Sequence, residues 1–173
     1  MKDSTLELKR LYDHYAKELY VYGMAICADK VLVEDAIQDV FLYIHLHDAT
    51  FSHAADKKLY LLAALRNKIY RMSHGRQPRF EEMTVESEME YSAEDRIIGE
   101  EQWRINQERV KEMLDSLSMR QREVLYLRFI ETMSFKEISE HMSINRQSAQ
   151  NLFQRAVKRL REVFLAETLT IEK

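Results

Sequence analysis

Apolar residues recur at threes and fours along almost the whole chain, the spacing that gathers side chains on one face of an α-helix. The first such run extends to about Ala28 and carries Leu8, Leu11, Tyr12, Tyr15, Leu19 and Tyr22, with Ser4 placed to cap it. The second, from about Val31 to His45, turns Val33, Ile37, Val40, Phe41 and Ile44 inward, leaving Glu34, Asp35, Gln38 and Asp39 on an acidic face. A polar loop follows from His47 to Phe51. Ser52 then opens a third helix to about Met72, with Asp56 in its first turn favouring the helix dipole. Its core positions are Leu59, Leu62, Ala63, Leu65 and Ile69. Outside lie Lys57, Lys58, Arg66, Asn67, Lys68 and Arg71, with Tyr60 and Tyr70 among them.

Gly75 and Pro78 interrupt the pattern. Periodicity returns after Ser92, with Ile97, Ile98, Trp103, Ile105, Val110, Met113 and Leu114. Ser118 and Gln121 have capping-box spacing, and the helix from Met119 to about Ile130 is expected to bury Val124, Leu125, Leu127 and Phe129. Ser134 and Glu137 repeat the box and open a short helix, in which Ile138 and Met142 point one way. Ser143-Ile144-Asn145 breaks it, and Asn145 is a good N-cap for the next segment. There Ala149, Leu152, Phe153, Ala156, Val157 and Leu160 form an inward stripe.

The spacing thus predicts a helix-turn-helix over 134–160. The outer face of its second helix carries Arg146, Gln147, Gln150, Asn151 and Gln154, side chains able to make the paired hydrogen bonds that distinguish base edges in a major groove. Arg155, Lys158, Arg159 and Arg161 follow, and Lys136 precedes, as cations suited to phosphates.

Composition agrees with an all-α chain: Gly 3 and Pro 1 leave little turn chemistry for sheets, and 46% hydrophobic residues suffice for a core. The net charge of −3 conceals segregation. Residues 55–80 carry +6, residues 81–101 carry −8 and residues 120–162 carry +4. Two cationic helical blocks joined by an acidic connector fit a chain that meets nucleic acid at two places. Apolar runs are short, so no membrane insertion is expected. The polar N-terminus, MKDSTLELKR, is no secretory signal, and the single Cys27, in an apolar stretch, reads as a buried small hydrophobe of a cytoplasmic protein.

No catalytic constellation stands out, and no cofactor or metal is expected. His45 and His47 fall on different sides of a helix, and Glu137 and His141, though four apart, lack a third ligand. Aromatic rings beside cations suggest a different task. Phe51, Tyr60 and Tyr70 stand among Lys57, Lys58, Arg66, Lys68 and Arg71, a set of rings and cations that would suit stacked single-stranded bases and their phosphates.

Three blocks, in this order, resemble the bacterial RNA polymerase sigma factors of the sigma-70 family, extracytoplasmic-function type. Leu32-Val33-Glu34-Asp35-Ala36-Ile37-Gln38-Asp39-Val40-Phe41 is similar to the family's helix that docks on core polymerase. Leu59 to Ile69, with its Arg66-Asn67 pair, is similar to the helix that binds and opens the −10 promoter element. Leu117-Ser118 and Gln121-Arg122-Glu123-Val124, then the helix-turn-helix with Arg155-Ala156, are similar to the reader of the −35 element. The chain departs from the family at Ser143, usually Gly, which would hold positive φ at some cost. It departs again at Ser148-Ala149, Gln150 and Asn151, which bear on the promoter sequence read.

The resemblance implies a non-enzymatic, dissociable initiation subunit. A polymerase- and −10-binding domain would span 1–78, an acidic linker 79–92, and a −35-binding helix-turn-helix domain 93–173. Core polymerase would be met through Glu34, Asp35, Gln38, Asp39 and Phe41. The −35 DNA would be met through Lys136, Arg146, Gln147, Ser148, Gln150, Asn151, Gln154, Arg155 and Lys158. The partners implied are core RNA polymerase, double-stranded and melted promoter DNA, and an anti-sigma factor. Two other readings stand beside it: a free-standing helix-turn-helix regulator binding a palindrome as a dimer, and a helical adaptor with no DNA role.

Overall fold

The computed structural model describes residues 2–47, 51, 56–73 and 109–171, with side chains given between Leu8 and Ala166. Helix α1 spans Lys2–Cys27, α2 Lys30–Leu46, α3 Lys57–Met72, α4 Met119–Phe129, α5 Phe135–His141 and α6 Arg146–Ile171. Residues 109–115 are also helical, and no strand occurs among the described residues. The fold is all-α.

Local chemistry sets the helix ends. Ala28, fully buried and at φ 58°, turns the chain between α1 and α2, and Asp29 Oδ1 accepts the Leu32 amide at 3.0 Å to start α2. Asp56 caps α3 by accepting the Leu59 amide at 3.0 Å. It is therefore the cap itself rather than a first-turn residue, while Ser52, expected in that place, lies outside the described residues. Helix α1 begins at Lys2, so Ser4 lies inside it and not at its cap. Both capping boxes form, at Ser118/Gln121 and Ser134/Glu137.

The α2 stripe of Val33, Ile37, Val40, Phe41 and Ile44 is wholly buried as its spacing requires. In α3 the buried set is Leu61, Leu62, Leu65, Arg66 and Ile69. Leu61 and Arg66 add a second buried side to that helix, because α3 meets more than its own hairpin. Helices α1, α2 and α3 pack together, and α4, α5 and α6 form a second group. The two groups are in contact, since α1 also packs on α4.

Some inward positions open outward. Phe129 is 64% exposed because α4 ends there and α6 covers only the flank of its ring. Tyr12 and Val110 are also exposed. The acidic linker and the expected helical residues Ile97, Ile98, Trp103 and Ile105 lie outside the described residues. No helix among the described residues is long and apolar enough to cross a membrane.

Gly23 lets α1 sit close on α2. A Cβ there would lie 2.6 Å from Val33 Cγ1 and 3.5 Å from Ile69 Cδ1. Gly23→Ala is expected to destabilise the chain by about 1–2 kcal/mol, because overpacking a stiff, buried valine outweighs the helix-propensity gain of about 1 kcal/mol. Urea unfolding of Gly23→Ala, Val33→Ala and the double variant checks this: the double should cost less than the sum of the singles.

Candidate nucleic-acid interface

The helix-turn-helix forms over α5 and α6. Glu137 Oε2 accepts the Ser134 amide at 2.7 Å, and Ser134 Oγ accepts the Glu137 amide at 3.3 Å, fixing the start of α5. At its end the Ile144 amide donates to the Ser139 carbonyl and the Ser143 amide to that of Glu140, at 3.0 and 3.3 Å. These are the paired bonds of a helix stop that needs a left-handed residue. Ser143 supplies it at φ 53°, the conformation expected where the family usually has Gly. Asn145 Oδ1 then accepts the Ser148 amide at 2.7 Å and caps α6.

Ala149 and Ala156 are fully buried, and Phe153 meets Phe135 with ring centroids 5.4 Å apart, so the inner stripe of α6 holds the motif together. Its outer face is open. Arg146, Gln147, Ser148, Asn151, Gln154, Arg155 and Lys158 are exposed and Gln150 is half-buried. Gln147 Nε2 donates to Asn151 Oδ1 at 3.0 Å, which aligns two amide side chains on one row. Lys136 and Lys158 are exposed and pair only loosely with Glu140 and Glu162, at 4.0 and 3.9 Å.

The α3 set is arranged otherwise. Phe51 is only 2% exposed, its ring set against Tyr60 at 5.7 Å with the Lys57 ammonium above it at 5.3 Å. It is a packed core ring here, not a free stacking platform. Asn67 and Arg71 are exposed, and the Arg71 Nε donates to the Asn67 carbonyl at 3.2 Å. Lys68 is taken by Asp39 of α2 at 2.5 Å. Phe41, expected to face a partner, is buried edge-on to Tyr12 at 5.1 Å. Glu34, Asp35 and Gln38 remain exposed, so the acidic face of α2 is narrower than the helical spacing implied.

Arg66, Lys58 and Tyr70 depart furthest from the expected open cationic face, because they engage the second group of helices. Arg66 is 7% exposed; it donates to the His141 carbonyl and lies 3.7 Å from Glu123 Oε1. Tyr70 donates to Glu123 Oε2 at 2.8 Å, and Tyr22 of α1 donates to Oε1 at 2.9 Å. Lys58 holds Glu18 at 2.5 Å and Glu131 at 2.7 Å. Tyr22 and Tyr126 meet edge-on at 5.2 Å.

Burial pushes the Glu123 carboxyl above its usual range, and Arg66 with the two phenols draws it back. Burial and the neighbouring carboxylate push both Tyr22 and Tyr70 up, so each phenol stays protonated as a donor. Burial, aided by Arg66, holds the His141 imidazole down at about 4. Burial lowers Lys58, but bonds to Glu131 and Glu18 outweigh it and raise the ammonium overall. Cys27 is buried, with its thiol raised to about 11 by desolvation. No cluster of three metal-ligating side chains occurs among the described residues.

Glu123, Glu131 and His141 were not legible as site residues. One signal was available: Glu123 is an acid immediately before the apolar run Val124-Leu125-Tyr126-Leu127, where a helix facing only one core would place a hydrophobe.

Residues 107–160 match the domain family described as "Sigma-70, region 4", a DNA-binding helix-turn-helix class. Over 165 residues, 92% of the chain and 96% of the relative, it is 24% identical to the ECF RNA polymerase sigma factor SigM of Bacillus subtilis (strain 168). It is 25% identical over 157 residues to SigX of the same organism, covering 88% of the chain and 80% of the relative. The fold is shared with two solved structures, each 18% identical. One is CnrH in complex with the cytosolic domain of CnrY, with a TM-score of 0.63 over 92% of this chain and 88% of that one. The other is the sigma factor RpoE bound to the anti-sigma factor NepR from Bartonella quintana, with a TM-score of 0.60 over 91% and 96%. Residues 107–160 thus carry the sigma-70 region 4 domain, and along most of its length the chain is similar to sigma factors of the extracytoplasmic-function type.

The depressed His141 imidazole has a consequence for acid stability. Between pH 6.5 and about 4 the unfolded chain takes a proton that folded His141 refuses, so its share of stability falls as pH falls. Glu123, raised by burial, acts in the opposite sense over its own range. Comparison with His141→Gln isolates the first effect: the variant's thermal midpoint should drop less steeply than that of the unaltered chain from pH 6.5 to 4.5.

Proposed function

We propose that the chain is a dissociable sigma factor that binds core RNA polymerase, reads a two-part promoter and helps to open it. The observation that carries this reading is the free outer row of α6, where Gln147, Asn151 and Gln154 stand exposed above a buried stripe and behind a fixed turn. Side chains of this kind, on a helix protruding from a helix-turn-helix, suit major-groove base edges, and Arg146, Arg155 and Lys158 suit the flanking phosphates. This C-terminal part, 93–173, would contact the −35 element. The N-terminal part, 1–78, would contact polymerase through Glu34, Asp35 and Gln38 of α2 and the −10 element through α3. The acidic segment 79–92 would tether them. An anti-sigma protein that covers these faces would suit such a factor, which would act in the cytoplasm, where the polymerase is. Its role is binding and positioning, with no catalytic step of its own.

Asp39 is engaged by Lys68, so the exposed Glu34 and Asp35 are the better probes of polymerase docking. The unaltered chain should co-elute with core polymerase, and Glu34→Lys with Asp35→Lys should abolish co-elution while leaving the circular dichroism spectrum unchanged. A chain that does not co-elute but selects a palindrome as a dimer would be a free-standing regulator instead.

Gln154→Ala should cost about 1–3 kcal/mol of promoter binding by the holoenzyme, confined to one base-pair position of the −35 region. Competition against a panel of single-base promoter variants measures it. A uniform loss on every sequence would make Gln154 a backbone contact.

A further inference from the structure

The amide pair on the outer face of α6 has a fixed polarity. Gln147 Nε2 donates to Asn151 Oδ1 at 3.0 Å, one helical turn apart on the same side of the helix. A primary amide standing by itself can turn over and present either its oxygen or its NH2 group to whatever approaches. The bond from Gln147 removes that freedom. With Oδ1 held toward Gln147, Asn151 turns both hydrogens of Nδ2 the other way, and Oδ1 keeps one lone pair. Asn151 thus offers a donor and an acceptor side by side, in a set order.

Only adenine complements that order within a single base. On its major-groove edge N7 accepts and N6 donates. Guanine shows two acceptors and leaves Oδ1 idle, cytosine shows a lone donor, and thymine shows one acceptor beside a methyl group. The surrounding sequence agrees, since no acidic side chain occurs from Arg146 to Arg161 to take the cytosine amine.

The pair also stands on a rigid base. Asn145 Oδ1 holds the first turn of α6 through the Ser148 amide at 2.7 Å, and Ala149, between the two amides in sequence, is fully buried. An amide ordered before binding spares the cost of ordering it in the complex.

We propose that Asn151 selects an adenine in the −35 element and that Gln147 is its positioning residue, orienting the Asn151 amide rather than reading a base of its own. The proposal rests on the assignment of α6 to the −35 element made above, and it names the base that this face of the helix takes.

The test is a binding selection by the full chain, assembled with core polymerase, from promoter duplexes randomised across the −35 region. The unaltered chain, Asn151→Ala and Gln147→Met are compared; methionine keeps the length of the glutamine side chain and removes its N–H. The unaltered chain is expected to favour adenine at one position by about tenfold or more over each other base. Asn151→Ala should lose that preference there and nowhere else. Gln147→Met should lower it at the same position by about two- to tenfold, the worth of one hydrogen bond. Preferences kept at the other positions show that both variants are folded. A 7-deazaadenine at the selected position keeps its base pairing and lacks the N7 acceptor. It should bind the unaltered chain about as weakly as the disfavoured bases, and bind Asn151→Ala no worse than adenine does.

Three results overturn the proposal while selective binding leaves the sigma reading intact. They are an adenine preference that survives Asn151→Ala, a cytosine preference that this variant removes, and a Gln147→Met effect confined to another base pair. A chain that fails to assemble with core polymerase, or an assembly that selects no sequence, refutes the sigma reading and the proposal with it.

Discussion

Burying one carboxylate organises this molecule. Glu123 has no exposed surface, and an anion in such a place demands donors from whatever lies opposite. Its own helix has no backbone donor to spare for it. The donors come from α1, through Tyr22, and from α3, through Tyr70 and Arg66, so the requirement of a single side chain on α4 fixes where the whole C-terminal group sits. Arg122, its neighbour in sequence, is also buried, close enough to Cys27 of α1 to interact with it. Its Nε donates to the Leu114 carbonyl at 2.8 Å, and its guanidinium reaches Asp115 at 3.5 Å. Consecutive opposite charges on one helix thus tie α4 both to the preceding helical segment and to the N-terminal helices.

This arrangement leaves the two candidate DNA surfaces in different states. The outer row of α6 faces solvent, with its amides aligned along the helix and its cations lightly paired. Much of the outer row of α3 is engaged within the chain, Lys68 by Asp39, Lys58 by Glu18 and Glu131, and Arg66 by Glu123 and His141, while Lys57, Asn67 and Arg71 stay exposed. A surface rich in cations, in a chain of net charge −3, has found the acids that the same chain carries elsewhere.

Much of the fold was legible because it is local. Capping boxes at Ser118/Gln121 and Ser134/Glu137 bond within four residues, and the α2 stripe is set by the 3.6-residue period alone. The turn at Ser143 and the cap at Asn145 are equally local, so the helix-turn-helix and its outward row could be read in full. Phe51 could not, because an aromatic ring beside cations satisfies a binding face and a core position equally well; its burial against Tyr60 is decided in space. Phe41 was legible as part of the inward α2 stripe, and the ring is buried edge-on to Tyr12 rather than facing the partner that the resemblance implied. Phe129 failed in the other direction: its phase matched the inner stripe, but the helix ends at it and α6 covers only the flank of its ring.

The amino-acid sequence by itself determined the helices, the capping boxes and the Asn145 cap, the outward row of α6 and the segregation of charge, because each depends on residues within a turn or two of one another. Tertiary structure alone decided which charges are free. Arg66 and Glu123 are 57 residues apart and Tyr22 and Glu123 are 101 apart, so nothing in their local patterns relates them. Only packing α1 and α3 against α4 brings a guanidinium, two phenols and a carboxylate within reach, and only that packing removes the water that would otherwise solvate each of them.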